Sequence, residues 1–484
     1  MYLKSLTVFN FKCLKGKHDF SFSFPDKSKT GLNILIGENN TGKSTLFEAI
    51  SFLRDGIPSG KNITDLKNNS VPNEQMYVEI ILTGDIKSLL TAFSDPKRFE
   101  EYIYMEDDSE CLKVCRFSDE QTLKVGDKEY KISPKEICIW DPKFKNYANP
   151  SGISGAFTRI FEIDFIWADT NPDDIANFGS TKVCGKLLSK VTKNFIESPK
   201  WLEFEKIHKQ TFQEGPDSLS AKLVDVEEKV QKIVSSQFSD IKIKFDFRLP
   251  ESDSFFKNTK ISIDDGCQTV MEEKGSGLQR AMALALLQVY ALDLIKHPDN
   301  DKLEKPFFLF IDEPELCLHP KAQFTLLSAL KNIAKDKQIF FTTHSPYMFK
   351  EISIFDAGLF GFLNDGGKIE TSKIDPNIFK PQFKEPTWNQ INYYLYKLDS
   401  TGFHDEIYSN IEENYGNAET YIYSRTNQKV SYIEKDKTGN PKPAINISLS
   451  TYVRHQIHHS DNLFNPRFTE RQLHDSIVEL LSLI

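Results

Sequence analysis

The sequence predicts an α/β fold with mixed sheets, a helical insert and a small, mainly helical carboxy-terminal module, and three stretches of its 484 residues carry that prediction. Residues 33–45 read as a strand, a glycine-containing loop and a helix. Residues 306–313 form a nearly continuous apolar run, as in a strand covered on both faces, and end in two acids. Residues 338–342 repeat that apolar pattern and run into Thr343-His344-Ser345.

The first stretch has the form GxxxxGKS from Gly37 to Ser44, between a strand at 34–36 and a helix beginning near Thr45. This is a Walker A pattern. Backbone N–H groups and a helix N-terminus wrap a β-phosphate, Lys43 reaches the β- and γ-phosphates, and Ser44 holds Mg²⁺. Gly37, Asn39, Asn40, Gly42, Lys43, Ser44 and Thr45 are therefore the candidate ATP-binding residues, with Mg²⁺ as the second cofactor. A surface turn rich in Gly and Asn is the plain alternative. The strand before the loop and the apolar helix after it (Leu46, Phe47, Ala49, Ile50) argue against that alternative.

The length allows two or three domains. With 60 basic and 69 acidic residues, the formal charge of -9 excludes a surface that is basic throughout, as a nucleic-acid footprint would be. A local basic patch stays open. The seven cysteines are scattered and odd in number, so reduced thiols are expected rather than a disulfide framework. The opening MYLKSLTVFNF lacks the succession of a secretory signal, and the longest apolar run, 281–295, contains Gln288 and Asp293. A cytoplasmic protein with no membrane span is the expectation.

Strands are expected at 2–11 and 20–24, with a polar turn at 25–30 leading to the Walker strand. Lys12 and Lys15 could approach the nucleotide or lie in solvent. The helix ends near Arg54, a loop covers 56–73, and strands follow at 76–84, 101–105, 111–117 and 122–132. Gln75 is a candidate for a Gln linking nucleotide and metal. Apolar residues recur at helical spacing across 185–240, far too briefly for a long coiled coil. Strands are expected again at 241–248 and 259–263. The glycine-serine turn at 275–279 then opens the helix 281–295.

The acids that end the 306–313 strand fit a Walker B pair. Asp312 would share Mg²⁺ with Ser44, and Glu313 would polarise a water for attack on the γ-phosphate. Buried carboxylates without such a task or a partner cation would be costly. A tight turn through Pro314, Glu315, His319 and Pro320 leads to a helix at 322–334, and His344 follows the next strand, where it could contact the γ-phosphate.

Taken together in order, these motifs resemble the ABC-type P-loop ATPase head shared by SMC-like proteins, OLD nucleases and related bacterial defence ATPases, over roughly residues 1–350. The resemblance implies that two heads form a homodimer around ATP, assembling further into an oligomer of dimers. Lys43, Ser44, Asp312 and Glu313 of one copy would face Ser276 and Gly277 of the other. Glu313 and His344 would be the catalytic residues. The family's signature is a Leu-Ser-Gly-Gly-Gln-like run, and here Gly275 and Leu278 depart from it. OLD nucleases continue into a TOPRIM domain, and residues 355–369 lack its Glu-Gly.

The remaining part, 351–484, looks like the carboxy-terminal region of Septu-type antiphage ATPases, including retron-linked ones, through residues 387–394, 403–408 and 451–462. That likeness implies a separately encoded HNH-type nuclease as partner, with nucleic acid engaged through the complex. In a retron it also implies a reverse transcriptase and its msDNA. Arg454, His455, His458 and His459 crowd one stretch there. Arg454 and His459 enclose four residues, the spacing at which HEPN-type ribonucleases activate a ribose hydroxyl. Metal binding through imidazoles and a plain packing role are the alternatives. The divisions expected are a head at 1–350, with its helical insert at about 185–240, and a partner-docking module at 351–484. The rivals to a nuclease-controlling ATPase are a one-chain HEPN-like ribonuclease gated by ATP and an SMC-type DNA clamp.

Overall fold

A computed structural model of the chain describes residues 1–93, 99–126, 128–168, 195, 198–237, 241–247, 259–296, 306–349, 352, 356–374 and 387–484. The chain divides into two compact units: one comprises Met1–Ala168, Pro298–Glu315 and Gln323–Ile484, the other Asp169–His297 and Leu316–Ala322.

The larger unit holds two main sheets. In the first, antiparallel strands lie in the order Asn146–Ala148, Cys138–Asp141, Ser109–Phe117, Tyr77–Thr83, Tyr2–Phe11 and Leu14–Ser21, and Tyr104–Glu106 also pairs with Ser109–Phe117. The second has the order Glu162–Ile166, Phe307–Ile311, Gln338–Thr343, Leu32–Gly37, Gly358–Asp365, Lys368–Lys373. All of its neighbours pair in parallel except the last two strands. Every residue of Leu32–Gly37, Phe307–Ile311 and Gln338–Thr343 is buried, which is why these strands read as nearly continuous apolar runs.

Helix Lys43–Asp55 packs its apolar face (Leu46, Phe47, Ile50, Leu53) into the core that both sheets share with it. Gln338 ties the sheets at one end: its Oε1 accepts from the Leu3 N–H (2.8 Å), and its Nε2 donates to the carbonyls of Leu3 (2.8 Å) and Ser23 (2.9 Å). A buried amide satisfied on both sides in this way fixes register as well as position.

The prediction at 20–24 was displaced. The strand is Leu14–Ser21, a hairpin partner of the first strand, and it escapes pattern reading because LKGKHDFS buries only alternate residues of a polar sequence. The Phe22 N–H still donates to the Lys4 carbonyl (2.9 Å) of the first strand, and beyond it the Ser23 N–H donates to Asn33 Oδ1 of the second sheet. Residues 241–247 are not a strand either. The N–H groups of Ile241, Ile243 and Phe245 donate to Ser235, Gln231 and Glu227, side chains one turn apart on helix Val224–Gln237. Period-two alternation here matches a helix face rather than a sheet. Position 248 and residues 185–194, 196, 197 and 238–240 of the predicted insert lie outside the described residues.

The second unit carries the helical insert, with helices Pro199–Phe212, Leu219–Lys222, Val224–Gln237 and Ser276–Lys296 and the short hairpin Ser262–Asp264/Gln268–Val270. The carboxy-terminal module comprises helices Trp388–Tyr396, Thr401–Tyr415, Ala418–Tyr423, Leu449–His458 and Glu470–Leu483, with the hairpin Lys429–Tyr432/Ile445–Ser448. Capping boxes at Thr387/Gln390 and Thr469/Gln472 start two of these helices, and Phe403, Ile407, Val453, Leu473 and Ile477 form their shared core. The second sheet runs through Lys373, beyond the boundary expected at residue 350. Among the described residues, no helix is long and apolar enough to cross a membrane.

Candidate nucleotide site

Parallel pairing decides the site. Ile36 lies level with Thr343, and Phe310 with Phe340, so the carboxyl ends of three neighbouring strands deliver the Gly37–Ser44 loop, Asp312-Glu313 and His344 to one place. Open α/β sheets present ligand sites at such ends. A cavity of about 660 Å³ opens there, lined by Lys12, Asn39, Asn40, Gly42, Lys43, Ser44, Thr45, Glu313 and His344, with Cys13 beside them.

The loop's shape follows from its glycines. Gly42 has φ +88°, and a Cβ there would stand 2.6 Å from Cys13 Sγ; at Gly37 a Cβ would stand 2.3 Å from the Phe362 carbonyl. Only glycine fits either place. Helix Lys43–Asp55 begins directly after Gly42, so its unpaired N–H groups and positive dipole end point into the cavity.

Ser44 Oγ donates to Asp312 Oδ1 at 2.7 Å, and Thr342 Oγ1 donates to the same oxygen at 2.6 Å. The Glu313 N–H donates to Thr342 Oγ1 at 2.9 Å, and Glu313 itself takes φ +47°, an uncommon conformation for a residue with a side chain. Its carboxylate lies 3.2 Å from His344 Nε2. Lys43 Nζ folds back on the loop and donates to the carbonyls of Gly37 (3.0 Å) and Glu38 (2.8 Å). Burial pulls the Lys43 ammonium down to about 8, against the charges of Glu313, Asp312 and Glu315, which favour its protonated form. Burial and the Lys43 charge lower His344 as well, while Glu313 opposes them, so the imidazole is held toward its neutral form.

The donor set fits Mg²⁺. A hydroxyl and a carboxylate oxygen within hydrogen-bond distance are hard oxygen ligands, and Mg²⁺ takes one or two protein oxygens and leaves the rest of its shell to phosphate and water. Among the described residues, no group of three His, Cys, Asp or Glu could hold a metal unaided.

Sequence reasoning missed Thr342, whose hydroxyl joins the Walker B acids to the next strand, and left Lys12 undecided. Lys12 lines the cavity and pairs with Glu48. Gln75 is not among the lining residues; its carbonyl accepts from Asn10 Nδ2 at 3.2 Å. Ser276 and Gly277 belong to the second unit, at the start of helix Ser276–Lys296, where the Gln279 side chain donates to the carbonyls of Glu272 and Lys274.

The carboxy-terminal cluster is split. On helix Leu449–His458 positions five apart lie about 140° apart, so Arg454 and His459 do not share a face. Arg454 Nη1 (2.6 Å) and His458 Nε2 (3.1 Å) both meet Asp405. His455 and His459 instead line a separate cavity of about 440 Å³ with Tyr432, Glu434 and Asp461. The Arg454/His459 pairing expected from spacing is thus replaced by Arg454/His458. Burial pushes the Asp405 carboxyl up, but the His404 ring, the Arg454 guanidinium and His458 outweigh it and hold the carboxyl below its ordinary value of 3.8. Asp405→Asn is expected to remove about 1–3 kcal/mol of stability at pH 7. Because the folded value lies below the unfolded one, the gap to wild type should close as pH falls through the folded value, below about 4. Melting temperatures across pH 3–7 would check both.

Residues 1–149 and 61–349 match the AAA ATPase domain family. The chain belongs to that family. The chain thus carries an AAA ATPase domain. It is 27% identical to the "Old nuclease" of Escherichia phage P2 over 365 residues, covering 72% of this chain and 57% of that protein. "Endonuclease GajA" of Bacillus cereus (strain HuB5-5) is 25% identical over 410 residues, 72% of this chain and 58% of that protein. The "Retron Vc95 probable ATPase" of Vibrio cholerae serotype O1 biovar El Tor is 24% identical over 392 residues, 72% of each. The chain therefore spans less than two thirds of the length of the two nucleases. Among solved structures, an SMC head bound to the C-winged helix domain of ScpA aligns over 78% of this chain and 99% of its own, with TM-score 0.45 and 14% identity.

Proposed function

We propose that the chain is the ATP-driven regulatory subunit of an antiphage defence assembly and that it holds and controls a separate HNH-type nuclease, in the manner of Septu-type systems. The observation that carries the ATP-driven part is the Ser44–Asp312 hydrogen bond, which brings two segments 268 positions apart into direct contact beside the phosphate loop. ATP would enter with its phosphates against Asn39–Thr45 and Lys43 turned toward them. Ser44 and Asp312 would hold Mg²⁺, which neutralises phosphate charge when bound. Glu313 would orient the attacking water, and His344, held toward neutrality beside Glu313, would contact the γ-phosphate. Two copies would close face to face, with Ser276 and Gly277 of each capping the other's nucleotide, so that the presence of the γ-phosphate orders the pair.

The defence role is supported by relatives named as nucleases and as a retron ATPase. Of these, the chain matches the retron ATPase over the larger share of the relative's length, which favours an ATPase whose nuclease resides elsewhere. The turning apart of Arg454 and His459 weighs against the one-chain ribonuclease. Purification with the neighbouring gene product, followed by nuclease assays with and without ATP, tests the proposal. The expected result is cleavage that depends on the partner and changes with nucleotide. Nucleic-acid degradation by the isolated chain that is abolished by His459→Ala would overturn it.

A further inference from the structure

Thr342 is completely buried in strand Gln338–Thr343, where its main chain lies level with Leu35, two residues before the phosphate loop. The three residues before it, Ile339, Phe340 and Phe341, are apolar and equally buried. A hydroxyl in such a place is unfavourable unless it is hydrogen-bonded. Both of its bonds go to the acids of the candidate site. Thr342 Oγ1 donates to Asp312 Oδ1 at 2.6 Å and accepts from the Glu313 N–H at 2.9 Å.

These two bonds are the middle of a longer chain. Ser44 Oγ donates to the same Asp312 oxygen at 2.7 Å, so hydrogen bonds run without a break from Ser44 through Asp312 and Thr342 to Glu313. The chain starts on the phosphate loop and ends on the residue that reaches His344. A threonine hydroxyl has one proton; here Asp312 takes it, and a lone pair is left to receive the Glu313 N–H.

The Glu313 N–H is the point at which the strand gives way to a turn. The Asp312 N–H still donates to a main-chain carbonyl, that of Ile166 on the neighbouring strand, at 2.7 Å. The next N–H turns to the opposite side and meets the Thr342 hydroxyl. There Glu313 takes φ +47°, a left-handed conformation that a residue with a side chain keeps only when its surroundings hold it. From that conformation the Glu313 carboxylate stands 3.2 Å from His344 Nε2.

We propose that Thr342 is the positioning residue of Glu313: its hydroxyl, oriented by Asp312, holds the Glu313 main chain in the left-handed conformation that aims the carboxylate at His344 and the attacking water. Thr342 lines no part of the cavity and acts only through the two acids. The inference rests on the reading of this cavity as the ATP-hydrolysing site. It deepens that reading by naming the group that joins the Ser44–Asp312 side of the site to the Glu313–His344 side.

The test uses the full chain, with kcat and equilibrium ATP binding measured for each variant, and amide hydrogen exchange of the segment around Glu313 followed without nucleotide. Thr342→Val keeps the branched side chain that a strand favours and deletes the hydroxyl. It is expected to lower kcat about tenfold or more while ATP binding stays as in wild type, and to speed exchange at Glu313. Thr342→Ser keeps the hydroxyl and should restore most of both. Added to Glu313→Gln, Thr342→Val should cost nothing further, since both act through one carboxylate. A merely structural role would reduce the folded fraction and leave kcat per folded molecule intact. Wild-type kcat or wild-type exchange in Thr342→Val overturns the proposal, as does an equal loss in Thr342→Ser. If Thr342→Val does not fold, Thr342→Cys, whose thiol is a much weaker donor and acceptor, decides in its place. Lys43→Ala is the separating control. Unchanged ATP binding in that variant removes the site itself, whereas lost binding there together with wild-type kcat in Thr342→Val removes only the positioning role.

Discussion

Glu313→Gln is expected to lower ATP turnover about 100-fold or more while leaving nucleotide binding intact. The amide keeps the shape and can still meet His344, now 3.2 Å from the carboxylate, but it cannot draw a proton from the attacking water. Ser44, Asp312 and Lys43, which would carry metal and phosphate, are untouched by the change. Because ATP would persist, two copies should stay closed around it. Single-turnover phosphate release and sedimentation with and without ATP would check both halves. Wild-type turnover in this variant would remove Glu313 from the chemistry. Loss of turnover with no ATP-dependent change in mass would leave a hydrolytic residue but no pairing of heads.

Lys43→Ala should act at the earlier step and weaken ATP binding about 10- to 100-fold, the usual worth of a hydrogen-bonded charge on phosphate. Burial already pulls this ammonium down to about 8, and only the surrounding carboxylates hold it up; arriving phosphate would supply further negative charge and restore it. The lysine thus holds the loop carbonyls of Gly37 and Glu38 until a stronger acceptor arrives. Calorimetry on the full chain measures the loss. Binding at wild-type strength would show that the loop is a turn and nothing more.

The convergence of the Gly37–Ser44 loop with Asp312-Glu313 was legible in the sequence because its parts are local. A GKS loop follows an apolar strand, two acids end another, and parallel neighbours need no side-chain pattern beyond continuous burial. What the sequence hid was long-range. Thr342 meets Asp312 across 30 positions, and no local pattern marks it as the hydroxyl that joins two strand ends. Leu14–Ser21 hid behind a polar composition, and residues 241–247 alternate like a strand while bonding to a helix. For the His cluster, spacing in a list of letters ignored helical pitch, which sends Arg454 to Asp405 and His459 to another cavity.

The first five residues of strand Gly358–Asp365 lie against Leu32–Gly37, with Gly358 level with Asn33 and Phe362 level with Gly37. A fragment cut at residue 350 would strip away that flank and leave the backbone of the very strand that launches the phosphate loop open to pairing with stray chains. Any attempt to make a minimal catalytic piece of this protein should therefore retain everything through Lys373. Precipitation of shorter versions would reflect a lost neighbour rather than a lost nucleotide.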